Sequence, residues 1–249
     1  MGEISIDPKF NIHETYKKVR ILNPYRNSGA TIEPNLFAYY KFNNSAIEEI
    51  SGYNGVENNI SYDIGKEGSA AFFNRAGSYL EVPDSNEFTF SDGTNDKEFS
   101  ITMFVNFSNQ ISSQWLVNKR DNLATSNEWS IDYFQGKLRM LLINPTGGFI
   151  RKESAFMPTI GQWYHLAYTY DGSKLATGMN IYIDAININA ISNPSGTYTG
   201  MGNTNSKITI GDKGYSKGDG FLGFMDELRF FNKELSSLRV LDDKNRITA

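Results

Sequence analysis

The 249-residue chain sets 24 basic against 28 acidic residues, a net charge of −4, with 39% hydrophobic and 14% aromatic content. That is a globular composition, long enough for one large β domain and without the basic surplus of a nucleic-acid binder. With no cysteine and only His13 and His165, thiol nucleophiles, disulfides and multi-histidine metal sites are excluded.

The N-terminus, MGEISIDPKF, lacks the basic start and apolar stretch of an export signal. Ile4, Ile6, Phe10 and Ile12 alternate like a strand, but Pro8 between them is unsuited to a central sheet position. Charged residues 13–22 and the turn cluster NPYRNSG (23–29) follow. Residues 1–35 therefore read as an arm and linker: either an attachment segment or an extra strand packed on the main domain. From Leu36 to Ala249 the pattern is β. Runs such as LFAYYKF (36–42), SAAFFNRA (69–76), FSITMFVNF (99–107), EWSIDYF (128–134), KLRMLLI (137–143), WYHLAYTY (163–170), MNIYIDAI (179–186) and FLGFMDELRFF (221–231) are separated by Gly, Asn, Asp and Ser. Phe99, Ile101, Met103, Val105 and Phe107 share one face, and Ile181 and Ile183 oppose Tyr182 and Asp184. Alternation with one wet face predicts antiparallel strands in two packed sheets. Phe72, Phe73, Tyr79, Phe99, Trp163, Tyr164 and Phe224 are the expected core rings. One short helix is expected near 234–242, where Leu235, Leu238 and Leu241 recur every three residues and Asn232 or Ser236 supplies a cap. No run approaches the roughly 20 apolar residues of a membrane helix, so membrane insertion is not expected.

Six segments carry a resemblance in order: FAYYKFNNSAIEEISGYNG (37–55), AAFFNRAGSYLEVPDSNEF (70–88), FSITMFVNF, KLRMLLI, GQWYHLAYTYDGS (161–173) and GFLGFMDELRFFNKELS (220–236). The chain from about 36 to 243 resembles the laminin-G-like, or concanavalin A-like, lectin jelly-roll family, in a form similar to virion proteins of tailed bacteriophages. The resemblance implies an all-β, two-sheet antiparallel jelly-roll sandwich with an N-terminal arm and one short C-terminal helix.

Some relatives of this sandwich are glycoside hydrolases, which need two carboxylates across the scissile bond. The glucanase pattern Glu-x-Asp-x-x-Glu is absent. Glu128 and Asp132 share a strand face without a third carboxylate, and adjacent Asp226 and Glu227 point to opposite faces. Neither histidine lies in a nucleophile motif, and GDKGYSKGDG (211–220) lacks the strand–loop–helix context of a phosphate loop. A non-enzyme is expected. Many relatives bind Ca²⁺, which implies structural Ca²⁺ held by Glu49, Asn54 and Asp226; the alternative is a hydrogen-bonded loop without metal. For ligand binding, the loop rings Phe149, Tyr198 and Tyr215 stand near Asn122, Asp212 and Asp219, the pairing of aromatic faces with polar groups that sugar sites use; alternatively these rings pack under their own loops.

The functional expectation is a non-enzymatic structural or adhesion protein of a bacteriophage virion. Its arm would dock on other virion proteins and its jelly roll would display glycan-binding capacity, as a homo-oligomer or in many copies on a capsid. The alternative is a bacterial secreted or cell-surface carbohydrate-binding protein; a glycoside hydrolase ranks below both.

Overall fold

The computed structural model describes residues 33–121, 127–188, 190–214 and 218–246. Residues 1–32 of the arm, Asn122 and Tyr215 lie outside these residues. Among the described residues, sixteen strands form two eight-stranded antiparallel sheets.

The first sheet holds β1 (Leu36–Tyr40), β3 (Ser61–Ile64), β4 (Ser69–Asn74), β6 (Phe99–Phe107), β11 (Trp163–Tyr170), β12 (Met179–Ile183), β13 (Ile186–Asn187) and β16 (Leu222–Phe231). Its order is β13-β12-β11-β6-β16-β4-β3, with β1 also paired to β16. One edge of β16 runs along β6. Its other edge is shared, the first half taking β4 (Phe224↔Phe72) and the second half β1 (Phe230↔Ala38).

The second sheet holds β2 (Val56–Asn58), β5 (Tyr79–Val82), β7 (Ser113–Arg120), β8 (Asn127–Phe134), β9 (Lys137–Ile143), β10 (Phe149–Ala155), β14 (Ile191–Ser192) and β15 (Ile208–Ile210), in the order β14-β10-β9-β8-β7-β15-β5-β2.

The core lies between the sheets and is built by strand alternation: Ile101, Met103 and Val105 from β6 and Met225, Leu228 and Phe230 from β16 meet Trp129, Ile131 and Tyr133 from β8 and Leu138, Met140 and Leu142 from β9. Rings dominate it. Phe90 stacks on Phe99 at 3.8 Å, and Phe88 meets Phe230 edge-on at 5.1 Å. The same alternation corrects the expected core list. Phe73, Phe99 and Tyr164 are buried, but Phe72, Trp163 and Phe224 stand half-buried on the outer side of the first sheet, with Phe72 and Phe224 4.8 Å apart. If Phe73 and Tyr164 point inward, their neighbours must point out.

The wet face expected of β6 is largely dry. Ser100, Thr102 and Phe104 are buried, and Leu36, Ala167, Tyr182, Phe231, Leu235 and Val240 form a second apolar cluster. That cluster includes the buried face of the one α-helix among the described residues, α1 (Ser237–Asn245). Ser236 caps α1, its Oγ accepting from Arg239 N. Of the expected leucine stripe Leu235 is buried, but Leu238 is 61% and Leu241 41% exposed, while Val240 and Asp243 are buried. Asp243 Oδ1 accepts from Arg229 Nη1 at 3.0 Å, and its Oδ2 lies 3.1 Å from His165 Nε2, so an ionic pin locks the helix to β16 and β11. Burial alone would raise the Asp243 carboxyl, but Arg229 and His165 hold it well below the usual range. The alternation read over 179–186 ends early, because Asp184 and Ala185 adopt positive φ and turn the chain into β13.

Candidate functional site on the outer face of the second sheet

Because Trp129, Ile131 and Tyr133 point into the core, Ser130, Asp132 and Phe134 point out. Register carries this face sideways: Asp132 opposes Arg139, which opposes Glu153, while Ser130 opposes Leu141, which opposes Arg151. On the other flank Asp132 opposes Trp115 and Ser130 opposes Asn118. An open sheet face would leave such side chains wet. Here Ser130 is 0% and Asp132 1% exposed, and Asn118 and Thr209 are buried too. A β-bulge at Trp115/Val117 adds local twist to β7, and one opposite Lys119/Arg120, with Glu128 as the extra residue, does the same for β8. Asn118 also anchors the loop after β15, donating to Asp212 O and accepting from Gly214 N.

Arg139 Nε donates to Asp132 Oδ1 at 2.6 Å, and the Arg139 guanidinium lies 4.1 Å from the Phe134 ring centre. Arg151 sits 5.5 Å from the Phe149 ring, with its Nε 3.0 Å from Glu153 Oε2. Arg120 covers Trp115 at 5.1 Å. Lys137 Nζ donates to Glu153 Oε1 at 2.6 Å. Burial raises the Asp132 carboxyl, against the opposing pull of Arg139, Arg120 and Arg151. Burial also acts to raise Glu153, but the Lys137 hydrogen bond and the charge of Arg151 win and lower it. Three polar atoms here are buried without a hydrogen-bond partner: Ser130 Oγ, Asp132 Oδ2 and Arg151 Nε. Such atoms carry an unmet desolvation cost that a ligand hydroxyl relieves.

Of the residues singled out from sequence, Phe149 belongs to this face. Tyr198 does not: its hydroxyl and that of Tyr170 both donate to Asp96 Oδ2, which ties a loop to the core. Asp212 is buried and accepts from Lys213 N and Gly218 N, holding its own loop. Asp219 pairs with Lys213 and Arg75. Glu128 and Asp132 do not share a face, in contrast to the sequence reading. The bulge opposite Lys119/Arg120 turns Glu128 to Lys119 Nζ (2.6 Å) and Thr204, away from Asp132. Trp115, Arg139 and Arg151 were missed, although even-numbered Ser130, Asp132 and Phe134 beside odd-numbered core residues were the available signal.

Most of the oxygens expected to hold calcium are otherwise engaged, Asp226 Oδ1 being buried without a partner. Glu49 is exposed and lies 3.5 Å from Lys41. Asn54 Oδ1 accepts from Glu48 N, and the neighbouring Glu48 carboxylate accepts backbone N–H groups of Tyr39, Ile50, Ser51 and Gly52. Asp226 Oδ2 accepts from Lys66 N and Glu67 N. Oxygens facing N–H donors do not fit a cation cage, and no group of three or more His, Asp or Glu among the described residues is arranged to hold a metal.

Residues 74–240 match the family model described as the concanavalin A-like lectin/glucanases superfamily. The chain belongs to this superfamily. Solved structures agree on the fold. The binding domain of Paraclostridial Mosquitocidal Protein 1 aligns with TM-score 0.64 and 18% identity over 85% of this chain and 52% of that one. Domain 4 of AbnA, an extracellular arabinanase from Geobacillus stearothermophilus, solved with arabinotriose, aligns with TM-score 0.56 and 20% identity over 86% of this chain and 100% of that one. The botulinum neurotoxin serotype D ligand binding domain, solved with N-acetylneuraminic acid, aligns with TM-score 0.62 and 13% identity over 85% and 50%. The superfamily sandwich thus spans about half the length of these toxin domains. No curated protein matches the sequence.

Proposed function

We propose that this chain is a non-catalytic glycan-binding module, whose site is the outer face of β8, β9 and β10. The observation that carries this reading is the pair of buried, unpartnered oxygens, Ser130 Oγ and Asp132 Oδ2, flanked by the half-buried rings Phe134 and Phe149. Rings stack on the apolar faces of sugars, and fixed polar atoms select their hydroxyls. Superfamily membership and the sugars bound to two structural neighbours support the same reading. Asp132 and Glu153 are each held by a cation on the same face, which favours binding over the proton transfer a hydrolase requires.

The test is a glycan array followed by calorimetry. The intact chain is expected to bind, and Phe149→Ala to weaken binding about tenfold, or ~1.4 kcal/mol. Phe72→Ala, on the opposite sheet, is expected to leave affinity unchanged. Binding that is lost with Phe72→Ala and retained with Phe149→Ala puts the site elsewhere, and turnover of a polysaccharide by the pure chain refutes the non-catalytic part. A place on a phage particle is a narrower form of the proposal, resting on the sequence features alone; a band in purified virions checks it.

A further inference from the structure

The face is not electrically neutral. Arg120, Lys137, Arg139 and Arg151 stand against two carboxylates, Asp132 and Glu153, in a chain whose net charge is −4. Two of the guanidiniums are only partly used. Arg139 spends its Nε on Asp132, and Arg151 lies beside Glu153 through its Nε, which is not aimed well enough to form a hydrogen bond. The terminal nitrogens of both have no hydrogen-bond partner among the described residues. Each guanidinium lies over a ring, Phe134 or Phe149, which restricts its tilt and leaves its fork available.

A neutral sugar would satisfy Ser130 Oγ and Asp132 Oδ2 but leave four charged N–H-bearing nitrogens without an anionic acceptor. A sugar carboxylate answers them: it is planar, and its two oxygens match the guanidinium fork. Glu153 does not repel it strongly, because Lys137 and Arg151 neutralise that carboxylate. Resting on the glycan-binding reading above, we propose that the face selects acidic glycans, taking a sugar carboxylate on Arg139 and Arg151 and neighbouring hydroxyls on Asp132 and Ser130.

The experiment titrates the full chain with tetragalacturonate, its neutral methyl ester, 3′-sialyllactose and lactose. At least one acid is expected to bind about tenfold more tightly than its neutral partner, with the preference shrinking as salt rises to about 0.5 M. Arg151→Gln is expected to bring the acid-to-neutral ratio close to one, and Arg151→Lys, which keeps the charge but loses the fork, to fall between. Arg151 is the position of choice because Glu153 retains Lys137 in its absence, so the variant keeps its fold. Equal affinity for both members of each pair overturns the acid selectivity and leaves glycan binding standing. No binding to any sugar, acidic or neutral, overturns both. An acid preference that survives Arg151→Gln overturns the assignment to this face.

Discussion

Asp226 is a carboxylate that the sheet holds close to neutrality. Burial pushes it up from 3.8 to about 7, against the two backbone N–H groups that its Oδ2 accepts, while its Oδ1 is buried without a partner. The native state therefore keeps this proton at a pH where the unfolded chain has lost it. The stabilisation is complete below pH 3.8 and is lost as pH rises to about 7, with an upper bound of roughly 4 kcal/mol. Asp226→Asn is expected to flatten the fall in Tm between pH 5 and 8; an unchanged slope in thermal melts assigns the titration to another group. Lys119 is the reverse case, a fully buried ammonium held by Glu128 at 2.6 Å and Asp84 at 2.9 Å. Lys119→Ala strands Glu128 and is expected to cost about 3–5 kcal/mol by urea denaturation. Neither role was legible in the sequence. A carboxylate's partners come from strands distant in the chain, and the loop over 48–54 shows how a one-residue offset changes the answer: Glu48 gathers the backbone donors while Glu49 faces solvent.

Elements were read more successfully than residues, because alternation is local and partners are not. Phe99 to Phe107 and Trp163 to Tyr170 are strands as expected. What period two does not reveal is a bulge. Glu227, at φ 54°, bulges β16 and meets Tyr39 and Arg229, and the offset at Lys119/Arg120 separates Glu128 from Asp132. The helix illustrates a different failure. A leucine every third residue drifts around a 3.6-residue helix, so Val240 and Asp243 are buried instead of Leu238 and Leu241. Ser236→Ala is expected to lower stability by about 1 kcal/mol through its cap. Asp243→Ala removes the partner of the buried Arg229 and is expected to cost about 3–5 kcal/mol. Paired melts of the two variants check the order; a larger loss from Ser236→Ala contradicts the ionic pin.

At the scale of the molecule, both sheets and their facing cores followed from sequence, and superfamily membership confirms that layer of the reading. The burial of Ser130 and Asp132 on the outer face did not, since it depends on neighbours from other strands. The topology has a further consequence. β16, which follows the other described strands in sequence, is a central strand of the first sheet, bonded to β6, β4 and β1. Until a ribosome has released it, those three strands present unpaired edges and the rings of β6 lack their neighbours. Folding of this sheet thus waits on a segment made after its neighbours, and a chain truncated before Leu222 is expected to aggregate or be cleared rather than to fold into a weakened sandwich.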